Sequence, residues 1–170
     1  FKDHPEWYWD ASSSRSRWGV PISVQMAVIQ KESHFRASVK PPYQRFFGVV
    51  PFARQSSAVG YTQALDGTWH AFLRATGRRS ASREDFADAV DFIGWYVNRL
   101  QRETGVEKTD AFRLYLAYHE GPRGYLRRSY LSKPWLIHLA HQVSWRAHEY
   151  RRQLVRCRAT LPKKPWWRFW

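Results

Sequence analysis

The sequence predicts a mainly α-helical protein folded as a single domain. Apolar residues recur at helical spacing over long stretches, most clearly Phe86, Val90, Ile93, Val97 and Leu100. No segment alternates apolar and polar side chains long enough to force a sheet. A chain of 170 residues, 44% hydrophobic and 17% aromatic, is long enough to bury one real core and too apolar to stay disordered.

Residues 1–17 are expected to form an N-terminal helical extension, with Trp7, Tyr8 and Trp9 set among charges and Ser12-Ser13-Ser14 blurring the period. Gly19 separates it from a helix that opens at Pro21, where a missing N–H costs little, and carries Ile22, Met26, Val28 and Ile29 at helical spacing. That pattern stops after Phe35. Residues 39–60 hold Pro41, Pro42, Gly48 and Pro51 among aromatics and read as a long irregular loop, a length commonly functional in compact domains.

Asp66 is placed to cap a helix containing Trp69, Phe72 and Leu73 and ending at Gly77. Ser82-x-x-Asp85 resembles a capping box ahead of the Phe86–Leu100 stripe, which Gly105 ends. Thr109 or Asp110 starts a helix through Phe112, Tyr115 and Leu116 that Gly121-Pro122 breaks. A last long helix runs from about Pro134 through Leu154. The main domain is expected over residues 18–158, with a basic aromatic tail over 159–170.

Twenty-eight Lys and Arg against fourteen Asp and Glu leave a net charge of +14, a surplus that suits polyanions: nucleic acid, anionic lipid or acidic cell-wall polymer. The single Cys157 excludes an internal disulfide framework. No run reaches the apolar length that spans a bilayer. No secretory signal is visible at Phe1, which leaves the compartment open.

Glu32 sits one turn beyond Val28 and three residues after Ile29, at the edge of an apolar helix face. A carboxylic acid held against hydrocarbon keeps its proton to higher pH, because desolvation penalises the charged form. That is what a general acid for glycoside chemistry requires. Two further short motifs follow it: Gly60-Tyr61-Thr62-Gln63 after the loop, and Ala117-Tyr118-His119-Glu120-Gly121 closing a later helix.

The ordered set resembles the catalytic domain of the lytic transglycosylases, goose-lysozyme-like enzymes that cut peptidoglycan. Their pattern is E-S, then G-x-x-Q, then a helical stripe, then A-Y-N-x-G, and the likeness covers about residues 18 to 155. It implies a lysozyme-like helical domain whose long loop lies beside an active-site cleft. Glu32 would then be the single catalytic acid and base, protonating the oxygen between N-acetylmuramic acid and N-acetylglucosamine. The muramyl 6-hydroxyl would close a 1,6-anhydro ring and return its proton to Glu32. The resemblance further implies substrate contacts from Ser33, Tyr61, Gln63, Tyr118 and His119, with Tyr118 orienting the glutamate. It implies no cofactor or metal, and work in the periplasm, with outer-membrane lipoprotein anchoring if a modified Cys preceded Phe1.

Two departures qualify the likeness. His119 stands where the family usually has Asn, and the interval from Ser33 to Gly60 is longer than in the commonest members. Tyr43, Phe47 and Phe52 in that interval, with Phe46, either stack on sugar rings or pin the loop as an aromatic cluster. Trp69 and Tyr96 are candidates for sugar stacking but read more readily as core. Asp91 is expected on the solvated flank of its helix, and Glu120 at a helix surface. Glu120 and Asp66 are the candidates for a second acid if water rather than the sugar hydroxyl attacks.

Other readings are weaker on ligand and motif grounds. His141 and His148 share a helix face two turns apart, too far to chelate one ion, and no carboxylate completes a set. No phosphate-cradling loop or nucleic-acid motif accompanies the Arg-rich last helix, so no specific nucleic acid is expected. The 163–170 tail, with aromatics among Lys and Arg, is a candidate for contact with an anionic membrane surface. The alternatives are therefore a hydrolytic muramidase, or a noncatalytic basic module that binds nucleic acid or anionic lipid.

Overall fold

Helix α2 (Ile22–Ser33) is the element the others enclose: eight consecutive residues, Ile22 to Ile29, are buried. A helix apolar on every side belongs in an interior. The one large polar group among them, Gln25, donates its amide to the Val20 carbonyl at 2.8 Å and the Ala11 carbonyl at 3.4 Å. The computed structural model describes residues 1–38, 43–46, 50–54, 58–161 and 163–166, the two short internal stretches and Arg158 by backbone only.

Helix α1 (Pro5–Trp18) starts on a proline and ends at Gly19, and it lies along α4 (Phe86–Thr104). The approach is close because residue 94 is glycine. A Cβ there would sit 2.4 Å from Trp18 Cδ1 and 2.5 Å from Ser14 Oγ, closer than side-chain contacts permit. Ser14 Oγ donates to the Val90 carbonyl across the seam at 2.8 Å. Lys108 caps the end of α1, donating to the Trp18 carbonyl at 2.6 Å and to Asn98 Oδ1 at 2.8 Å.

Asp91 corrects the expectation of a solvated flank. It is buried, accepts from Trp18 Nε1 at 2.6 Å, and pairs with Arg17 at 3.1 Å and Arg78 at 2.7 Å. These partners come from two other segments, so spacing along its own helix cannot announce them. A charge enclosed in this way needs its counterions and hydrogen bonds to be tolerable.

The interval read as loop contains an antiparallel hairpin, β1 (Tyr43–Phe46) with β2 (Val50–Arg54). β-branched and aromatic residues favour it. The register shifts between Gln44 and Arg45, and Pro51 faces Arg45 at that irregularity, where a strand tolerates a missing N–H. Those features also hide the alternation that would have marked it.

Two cap assignments move by a few residues. Asp66 is the first residue of α3 (Asp66–Thr76) rather than its cap, and it accepts from Arg83 at 2.6 Å. The box before α4 is centred on Asp85, whose carboxylate accepts from the Asp88 N–H at 2.9 Å, while Asp88 accepts from the Ser82 N–H at 2.8 Å. Helix α5 (Ala111–Leu126) is capped by Asp110 through the Arg113 N–H at 3.0 Å and breaks at Gly121 (φ 69°, ψ 168°). A short 3-10 helix (Ser129–Ser132) leads into α6 (Pro134–Arg156), whose buried stripe of Leu136, Ala140, Val143 and Ala147 faces α2 and α5. No helix among the described residues is long and apolar enough to cross a membrane.

Candidate active site

Glu32 stands at the C-terminal end of α2 and keeps part of its surface exposed, while protein crowds its carboxyl. Burial pushes its pKa up from 4.5 to about 7, against weaker opposition from a hydrogen bond with Tyr115 and the charge of Lys31. The helix that carries it is buried from Ile22 to Ile29, so the carboxyl projects from the end of an enclosed element.

Two tyrosines of α5 face this end of α2. Tyr115 shares the hydrogen bond with Glu32, and burial, followed by the Glu32 charge, raises its own pKa. Tyr118 also feels the Glu32 charge, but its hydroxyl donates to the Thr62 carbonyl at 2.9 Å. The resemblance assigned the bond with Glu32 to Tyr118, and in the structure Tyr115 makes one. Tyr118 instead ties the Gly60–Gln63 motif to α5. The two positions are three apart, hence one face of the helix, and that Tyr-x-x-Tyr spacing was the available signal.

The Gly60–Gln63 turn is fixed at several points. Gly60 has φ 76°, and a Cβ there would meet the Arg83 carbonyl oxygen at 2.1 Å. The Tyr61 N–H donates to that same carbonyl at 3.1 Å, and the Gln63 side-chain amide donates to the Gly60 carbonyl at 2.9 Å. Gln63 (φ 50°), His34 (φ 52°) and Phe35 (φ 61°) are three of the four non-glycine residues in left-handed backbone among those described. Such conformations cost of order 1–2 kcal/mol each. Here two directly follow the Glu32-Ser33 pair and one closes the Gly60–Gln63 turn that Tyr118 holds.

The other anticipated residues divide. Ser33 is buried and donates its hydroxyl to the Ile29 carbonyl of its own helix at 3.1 Å. The Tyr61 ring lies edge-on to Phe86, with centroids 5.5 Å apart, in a cluster with Trp7. Trp69 packs on Phe72 and Phe92 in the core, and Tyr96 packs on Phe92 and Tyr118. His119 is exposed, with its ring edge-on to Trp135 at 5.2 Å. The side chains of Tyr43 and Phe52, and all of Phe47, lie outside the described residues.

Glu120, expected at the surface, is a half-buried anchor. Its side chain is 4% exposed and takes Lys133 at 2.7 Å, His119 at 3.1 Å and the Ser129 hydroxyl. Burial alone would raise its pKa. The hydrogen bonds from Lys133, Ser129 and His119, with the Lys133 charge, outweigh burial and hold it at about 2.

Among the described residues no group of three or more His, Cys, Asp and Glu is placed to hold a metal ion. The arrangement is a proton-holding carboxyl between two phenols, with a pinned turn alongside. A family model described as a transglycosylase SLT domain matches residues 1–157. No curated protein and no solved structure matches the chain.

Proposed function

The chain belongs to the transglycosylase SLT domain family, and from that premise we propose that it is a lytic transglycosylase with Glu32 as its single acid and base. Peptidoglycan is the substrate class that membership implies. One feature supports the finer reading: burial pushes the Glu32 carboxyl up to about 7 against the Tyr115 hydrogen bond, so near neutrality it has a proton to give and, once ionised, can take one back. Glu32 protonates the oxygen of the bond between N-acetylmuramic acid and N-acetylglucosamine, and that bond breaks. The muramyl 6-hydroxyl adds to C1, closing the anhydro ring, and its proton returns to Glu32. Tyr115 holds the carboxyl in place through both steps, and Tyr118 holds the Gly60–Gln63 turn beside it.

The two other acids considered as activators of water are engaged. Glu120 is tied to Lys133, and Asp66 to Arg83. This favours the one-carboxylate route over a hydrolase, which needs a second carboxylate as base or nucleophile. The same reading puts the protein's work at the sacculus in the periplasm, where its cationic surplus favours approach to an acidic polymer.

Mass spectrometry of purified sacculi digested by the protein tests this directly. Products ending in 1,6-anhydromuramic acid are expected, and Glu32→Gln should yield almost none. Reducing muramyl ends would instead make the protein a hydrolase, and full activity of the Gln variant would remove Glu32 from the chemistry.

A further inference from the structure

The C-terminal third of the chain carries charge and exposed apolar surface that the site does not use. From residue 121 to 170 there are twelve Lys and Arg against one acid, Glu149. The large exposed hydrophobic side chains concentrate there too: Leu126, Leu131, Trp135, Trp145 and Val155, and in the tail Trp166, with Trp135 and Trp145 52% and 58% exposed. Leu131 lies in the 3-10 helix that leads into α6, and Trp135 and Trp145 lie on α6 itself. α6 spans 23 residues, roughly 34 Å, with its inward stripe against α2 and α5. Ile137, Leu139, Tyr150 and Leu154 flank that stripe and are partly buried, and among the described residues α6 presents Trp145, Arg151, Arg152 and Arg156 to solvent.

We propose that the outer side of α6, together with the turn before it, docks the protein on an anionic lipid surface. Charge complementarity selects a polyanion, and each basic residue near an anionic leaflet adds to the attraction. The apolar side chains then choose among polyanions. Indole rings favour the headgroup boundary, and exposed Leu and Val gain by entering it, whereas a phosphodiester backbone offers them nothing. The Arg146 guanidinium stacks on the Trp145 ring, 4.9 Å from its centroid, so one site couples a charge for the headgroups with a ring for the interface. The residues that hold Glu32 lie on α2 and α5, so docking uses none of them. The inference stands independently of the reaction proposed above.

The test is co-sedimentation of the full chain with vesicles of phosphatidylcholine alone and with 30% phosphatidylglycerol, alongside competition by duplex DNA. Binding to the anionic vesicles, a blue shift of Trp emission, and weakening as salt rises are expected. Arg152→Glu with Arg156→Glu should weaken binding by about thirtyfold or more. Trp145→Ser should keep much of the attraction but lose part of the blue shift. Lys163→Glu with Lys164→Glu, in the tail, should have the smaller effect of the two charge reversals. Circular dichroism would verify that each variant folds. Equal binding to neutral vesicles, wild-type affinity of the α6 variant, loss through the tail variant alone, or displacement by DNA at equal phosphate would each overturn the proposal.

Discussion

Two glutamates, each at the end of a helical run and each crowded by protein, titrate in opposite directions. Glu32 is pushed up to about 7, and Glu120 is held at about 2. Desolvation acts on both. The difference lies in the donors: Glu120 has an ammonium, a hydroxyl and an imidazole, whereas Glu32 has a phenol and a more distant lysine charge. Burial alone makes a proton donor, and burial with a full set of donors makes an anchor. The comparison teaches that depth and the partner list act together: Glu32 is deeply desolvated with one hydrogen-bond donor, whereas Glu120 carries a set of donors that outweighs its burial.

The largest expected effect separates their roles. Glu32→Gln should lower the turnover of sacculi by about a hundredfold or more, measured as released muropeptides, while Glu120→Gln should leave the rate per folded molecule close to wild type. A fall in both would dissolve the distinction.

Stability should move the other way. Because the folded pKa of Glu32 exceeds the unfolded value, folding holds its proton more tightly, and that contribution fades as pH rises from 4.5 through about 7. Glu32→Gln should therefore be more stable than wild type at pH 8.5, by up to about 3 kcal/mol, and similar to it near pH 4. Thermal melts at the two pH values decide it.

Glu120 has the reverse sign. Its depressed folded pKa contributes stability above pH 4.5 that is lost as pH falls toward 2. Lys133 is 37% exposed, so solvent screening trims the benefit. Glu120→Gln should cost about 2 kcal/mol at pH 7, and the cost should shrink on acidification. Urea unfolding at pH 7 and pH 3 measures it.

The smallest effect refines the Glu32 side. The Tyr115 hydrogen bond opposes the upward shift, so Tyr115→Phe should move the alkaline limb of the pH–rate profile to higher pH. The rate should drop by roughly tenfold or less, as the carboxyl loses its orientation. An unshifted limb would mean that Tyr115 does not bond the reacting carboxyl.

Much of this was legible along the chain. The α4 stripe and α6 show a clean helical period, and Glu32 is marked by the apolar residues one turn before it. What escaped depends on partners distant in sequence. Asp91 reads as solvated until Arg17 and Trp18 arrive from α1 and Arg78 from the segment before α4. Glu120 reads as exposed until the break at Gly121 lets Ser129 and Lys133 fold back on it. Tyr115 and Tyr118 occupy one face, and only the Thr62 carbonyl decides which of them serves the carboxyl. The hairpin was masked because Pro51 and a register shift interrupt its pattern.

The left-handed pair His34-Phe35 at one end, and the Gly60 turn latched by Tyr118 at the other, clamp both ends of the interval that contains the hairpin. Whatever its length, that interval starts and finishes at the same two points in space. Lengthening a loop between fixed ends is thermodynamically cheap, about 0.6 kcal/mol per doubling. A change in the number of residues between these two anchors therefore leaves the pairing of Glu32 with Tyr115 where it is, because neither partner belongs to the interval.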